Sequence, residues 1–222
     1  MSLIKHILLV LLLTAAGISV AEEIIVGVGD RNGDALSVHN GKLVGSLSSY
    51  FQCPFDRSGL TFELRLQPQV RNLYLLEKGE IDIALPLVSV STRDKYAIFT
   101  RKMIDIPFHI YTREENSLSD DMSNYKFTVL RGSASADLVT QNNAKFEEVT
   151  SWLQALQLAQ LGRFDGAVIP APVIRNIDPG FLDGMKKIEF GAMPMSLYIS
   201  KKSRDAEMLV QKLNAAIELC QG

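Results

Sequence analysis

Leu73-Tyr-Leu-Leu-Glu-Lys-Gly79-Glu-Ile-Asp82-Ile-Ala84 and Leu156-Gln-Leu-Ala-Gln-Leu-Gly162-Arg-Phe-Asp165-Gly-Ala-Val168 follow one plan. In each, an apolar helical run stops at a glycine, and an aspartate three positions later opens a β-rich run. Glycine closes a helix in the left-handed conformation at little steric cost, so the chain can turn at once into a buried strand. Any α/β protein can hold one such corner. Two of them, one in each half of the chain, point to two α/β lobes of like design.

Elements of matching character lie on either side. Residues 23–28 form a β-rich run ending beside glycine, and Leu60–Leu66 alternates apolar and polar residues as a half-buried strand does. Asn40-Gly41 is a turn signal, and residues 46–57 have helical character that Pro54 is expected to break or kink. Residues 71–78 read as a helix and 81–87 as a buried strand. Further strands are expected at 107–112, 126–130, 167–169 and 195–200. Ser151 and Gln154 have capping-box spacing at the start of a helix over 151–161, and Ala206–Cys220 is a closing amphipathic helix. The alternation of strands and helices implies largely parallel sheets.

The N-terminus has a different character. Lys5 and His6 precede an apolar run from Ile7, and Ser19 and Ala21 stand where a signal peptidase needs small residues, before Glu22. Residues 1–21 therefore read as a signal peptide, and the alternative, an uncleaved membrane anchor, is disfavoured by the short apolar run. The expected location of the mature chain is the periplasm, across the inner membrane. Cleavage moves the net charge from −2 to about −3, which gives no electrostatic grip on nucleic acid or anionic lipid. No membrane insertion is expected after cleavage. The 2 cysteines read as one possible disulfide in an exported chain, and with 3 histidines there is no metal-ligand constellation. No cofactor is implied.

Five segments together carry a family resemblance: Asn40-Gly-Lys-Leu-Val-Gly45, Leu76–Ala84, Ser91-Thr-Arg93 with Phe99-Thr100, Ser117–Leu138, and Leu156–Pro172. Across nearly the whole mature chain they resemble the bacterial extracellular solute-binding proteins of family 3, which serve amino-acid uptake. The resemblance implies an α/β, two-lobed type II periplasmic-binding-protein fold with a hinge of two crossing strands near 107–112 and 193–200. Lobe one would be residues 22–108 and 194–222, and lobe two 109–193. A small solute would bind between the lobes, and a transporter permease or membrane sensor would be the partner of a monomeric binder. With both cysteines then in lobe one, a Cys53–Cys220 disulfide is expected.

The resemblance also assigns ligand-binding positions. Arg93, with Ser91 beside it, matches the family arginine that grips a ligand carboxylate, a task suited to a guanidinium fork; the alternative is a surface arginine paired with Asp94. Gly132 and Ser133 belong to a loop, Gly132-Ser-Ala-Ser135, whose amides and hydroxyls can hold an anion, or whose serines can simply cap a helix. Pro170 occupies the position where the family has an acid for the ligand ammonium, and the acids of the family's first-helix segment are replaced in Gly45-Ser-Leu-Ser-Ser-Tyr50. An anionic or weakly polar solute without a free α-amino group is therefore expected. Two other classes stand beside a non-enzymatic binder. One is an enzyme like the family's cyclic-carboxylate dehydratases, for which Asp30, Asp34, Glu80 and His109 are loose acid–base candidates without a paired constellation. The other is a degenerate member whose cleft is filled by its own side chains and which acts through protein contacts.

Overall fold

The computed structural model describes residues 23–30, 35–175 and 177–221; the expected signal peptide and Asp34 lie outside them. The first described elements are β1 (Ile24–Gly29), a small hairpin of β2 (Ser37–His39) and β3 (Lys42–Val44), and α1 (Ser48–Ser58). Next come β4 (Phe62–Gln67), α2 (Gln69–Lys78), β5 (Ile83–Val88), β6 (Ala97–Phe99) and β7 (Ile104–Arg113). The second half runs β8 (Lys126–Leu130), α3 (Ser135–Gln141), β9 (Lys145–Val149), α4 (Trp152–Gln160), β10 (Gly166–Pro170), α5 (Ala171–Ile174), β11 (Met185–Ser200) and α6 (Ala206–Gln221).

The repeated glycine-to-aspartate segments build the same corner twice. Gly79, at φ +79°, closes α2: its N–H donates to Leu76 O at 3.2 Å, and the Glu80 N–H donates to Leu75 O at 2.9 Å. Gly162, at φ +69°, follows α4 in the same way, with Gly162 N to Ala159 O and Arg163 N to Leu158 O both at 3.0 Å. The aspartates then stitch neighbouring strands. Asp82 N–H donates to Ile25 O at 2.9 Å while its Oδ2 accepts from Ile25 N at 2.9 Å. Asp165 N–H donates to Lys126 O at 3.0 Å while its Oδ2 accepts from Lys126 N at 2.7 Å. Each carboxylate satisfies a backbone donor that the strand end would otherwise leave free.

Each lobe is organised around its own parallel strands. β1 pairs in parallel with β4 and β5, and β8 in parallel with β9 and β10. The sheet order β4-β1-β5-β11-β7-β10-β8-β9 joins the two sets through β11 and β7. Residues 185–195 of β11 run antiparallel to β7, whereas 195–199 pair with β5, so one strand serves both lobes. The register shifts between Glu189 and Gly191, and Gly191 adopts φ +141°, a bulge where the ribbon changes direction. These are the two crossing strands of the hinge. Valines, leucines and isoleucines of β1, β5, β7 and the C-terminal part of β11 form the largest core, joined by Leu209, Leu213 and Ile217 of α6.

Some elements depart from the sequence reading. Helix α1 continues through Pro54, so of the break or kink expected there the break does not occur; Phe51 and Phe55 on its inner face are buried, and Gly59 at φ +68° closes it. Core packing of the flanking aromatics offsets the hydrogen bond that proline cannot donate. Strand β11 begins at Met185, ten residues before the expected start, because Lys186, Lys187 and Glu189 mask an element that is half-exposed there. Strand β9 is missed for the same reason: four of its five residues are exposed. The expected capping box forms, with Gln154 N donating to Ser151 Oγ at 3.1 Å; the reciprocal bond comes from Thr150 N to Gln154 Oε1 at 3.0 Å. Cys53 and Cys220 form a disulfide with Cα atoms 6.1 Å apart, tying α6 to α1.

Candidate functional site

Parallel α/β sheets present their binding crevice at the carboxyl ends of the strands. Here those ends face one another across the hinge. Lobe one contributes Pro86, Leu87 and Val88 at the end of β5, with Gln69 and Val70 from the first turn of α2. Lobe two contributes residues 130–134 from the end of β8 and the loop after it, Trp152 from α4, Pro170 at the end of β10, and Pro172 and Val173 from α5. Ile106, Phe108 and Met195 of the hinge strands form the floor. The space enclosed is about 110 Å³. It adjoins a second chamber of about 390 Å³ that shares Leu47, Ile106 and Pro172 as a common wall and is completed by residues including Ala35, Ser46 and Arg175.

Arg93 is the buried charge of this cleft, 7% exposed. Its Nη1 donates to Val88 O at 2.7 Å, and its Nη2 reaches Gly132 O at 3.4 Å, so one guanidinium touches both lobes. Asp94 does not pair with it; that carboxylate accepts instead from the Tyr198 hydroxyl at 2.9 Å. Burial pulls the guanidinium pKa below its ordinary value, opposed by Tyr96, Tyr198, Asp137 and Asp94. Among these, Asp137 is half-buried on α3, and burial raises its carboxyl pKa against the pull of Arg93. A guanidinium bonded only to neutral carbonyls retains the capacity to receive an anion.

Tyr198, missed in the sequence, positions Arg93. Its hydroxyl accepts from Val90 N at 3.0 Å and lies 3.2 Å from Val90 O, pinning the turn that carries Arg93. Burial pushes its phenol pKa up to about 12. Ser91 is exposed on the same turn and does not line the cleft.

Opposite Arg93, Gly132 takes φ +71° and Ser133 N donates to Leu130 O at 3.0 Å. Helix α3 has Ala134 at its N-cap with no side-chain cap, so Ser133 and Ser135 are not spent on capping. Ser133 Oγ, Ser135 Oγ and Gln69 Nε2 are buried without a hydrogen-bond partner. Buried polar atoms rarely stay unpaired, and two of these three belong to cleft-lining residues. Gln69 and Trp152 carried no sequence signal for a binding role: polar and aromatic side chains at a helix start are commonplace.

Arg93, Gly132, Ser133 and Pro170 thus line one cleft. Among the described residues no aspartate or glutamate lines either chamber, whereas Arg93, Arg131 and Arg175 do. Arg131 is engaged by Glu148 at 3.4 Å. Asp30 and Glu80 are exposed outside the cleft, and His109 is on the hinge strand β7 without entering either lining. Burial lowers the His109 pKa, helped by Lys187 and opposed by Glu189. Among the described residues there is no cluster suited to a metal, and no helix is long and apolar enough to cross a membrane.

No protein-family sequence model matches the chain, and no curated protein matches it in sequence. Solved structures match it in shape. The arginine-, lysine-, histidine-binding protein ArtJ of Geobacillus stearothermophilus superimposes with TM-score 0.69 at 15% identity, covering 89% of each chain. A histidine kinase sensor domain with similarity to periplasmic binding proteins gives TM-score 0.72 at 18% identity over 90% of each chain. The ancestral amino-acid-binding protein AncCDT-1, a precursor of cyclohexadienyl dehydratase, gives 0.65 at 18% identity, covering 90% of this chain and 89% of that one. At these identities the likeness speaks for the fold: this chain has the two-lobed fold of the type II periplasmic binding proteins.

Proposed function

We propose that the chain is a periplasmic solute-binding protein that captures a small anionic or weakly polar solute between its lobes and presents it to a transporter or a membrane sensor. The observation that carries this reading is the cleft's charge pattern: a buried Arg93 among apolar walls, with no described carboxylate in the lining. A charge-assisted pair in such a site is strong, and an apolar wall suits an apolar solute body. Pro170 has neither a charge nor an N–H, so an ammonium brought to it loses water without gaining a partner. The lobes divide at residues 108/109 and 193/194, a reading supported by β7 turning to β10 from Phe108 and β11 turning to β5 from Met195. Ser91, exposed on the Arg93 turn, acts only through that turn. In this reading the chain is a monomeric binder without turnover, because among the described residues no acid–base pair faces the solute. Sensor and transporter partners are both represented among proteins of similar shape.

A thermal-shift screen of small acids, amino acids and neutral solutes, followed by calorimetry, tests the reading. Arg93→Ala is expected to weaken the best hit by about 1.5–3 kcal/mol, the scale of a hydrogen bond to a charged group. Pro170→Asp is expected to weaken an anion further. Sustained conversion of any small carboxylate, lost on changing one cleft residue, contradicts the binding role.

A further inference from the structure

The two chambers place a second cation beyond the first. Arg175, at the C-terminal end of α5, lines the larger chamber, and no described carboxylate forms an ion pair with it. Leu47, Ile106 and Pro172 form the wall common to both chambers, so the path from Arg93 to Arg175 runs along apolar surface. A monoanion held at Arg93 would leave the larger chamber to water and Arg175 without a ligand contact. A solute that is anionic at one end only therefore uses half of what the cleft offers.

We propose that the cleft takes a ditopic anion, with one carboxylate-like group at Arg93, a second at Arg175, and an apolar spacer against Leu47, Ile106 and Pro172. This rests on the binding reading above and narrows its ligand class. Both ends are recognised by guanidinium forks, which favour planar anions. The spacer is recognised by area alone, so aliphatic and aromatic spacers of suitable length both fit. Arg93 is buried and Arg175 exposed, so the first contact is the stronger and the second selects.

The test is calorimetry with unbranched α,ω-dicarboxylates of increasing length, each beside the monocarboxylate of equal carbon number and the dicarboxylate's half-ester. At one chain length the dicarboxylate should bind about two- to fivefold more tightly than both controls, the worth of one added exposed ion pair. Arg175→Gln should bring the ratio of dicarboxylate to monocarboxylate affinity to about one, whereas Arg93→Ala should weaken all three ligands. Monocarboxylates that bind with no dicarboxylate advantage at any length overturn the ditopic ligand alone. Failure of every acid to bind overturns the binding reading with it.

Discussion

Tyr198 is fully buried, and its hydroxyl meets the N–H and C=O of Val90 as well as the Asp94 carboxylate. Tyr198→Phe keeps the ring and removes those contacts, stranding a buried backbone N–H and freeing the turn that carries Arg93. A stability loss of about 1–3 kcal/mol is expected by urea unfolding, along with weaker binding at an unaltered Arg93. The phenol supplies a second readout. Its folded pKa of about 12 lies above the ordinary value near 10, so the folded state resists ionisation. The corresponding stability is fully present below about pH 10 and is lost as pH rises towards 12, by about 2–3 kcal/mol. The variant should show that alkaline loss reduced, and an unchanged profile would contradict the role given to Tyr198. Nothing in the sequence marked this residue, because a tyrosine in a core strand is ordinary until the turn it faces is known.

The glycine-to-aspartate corner shows what the sequence made legible at the level of elements. Glycine followed by aspartate at fixed spacing reports a local event, a left-handed cap turning into a strand, and so it is readable twice. Strand β9 and the first half of β11 are half-exposed, and their register is set by partners distant in sequence, so no local period reveals them. The break allowed for at Pro54 of α1 does not occur for a like reason: the local rule is outweighed by burial of Phe51 and Phe55. Of the site, Arg93, Gly132, Ser133 and Pro170 were reached through resemblance to family segments, whereas Gln69, Trp152 and Arg175 required the lobes to be brought together. The two corners also differ in a testable way. A Cβ on Gly79 would lie 2.6 Å from Lys202 Cβ, close to its backbone, while one on Gly162 meets the movable guanidinium of Arg113 at 2.8 Å. Gly79→Ala is expected to cost about 2–3 kcal/mol and Gly162→Ala about 1–2, since both carry left-handed strain but only the first has a rigid neighbour. The reverse order in denaturant midpoints would contradict the packing argument.

Across the whole molecule, two links set how the lobes are held. The Cys53–Cys220 disulfide spans 167 residues and ties α6 back to α1. Double substitution by serine should lower stability by about 2–5 kcal/mol, and denatured, unreduced protein should titrate without a free thiol. Among the described residues, β7 and β11 carry the sheet from one lobe to the other, with a register shift at the Gly191 bulge. Arg93 donates to Val88 O and to Gly132 O, so one guanidinium bridges the two faces of the cleft. The most direct measurement is native mass spectrometry of the gently purified chain and its Arg93→Ala variant, each presented with the same pool of small acids and amino acids. One non-covalent adduct per chain is expected, an anion without a free α-amino group, strongly diminished in the variant. A standard L-amino acid held equally by both proteins would contradict it.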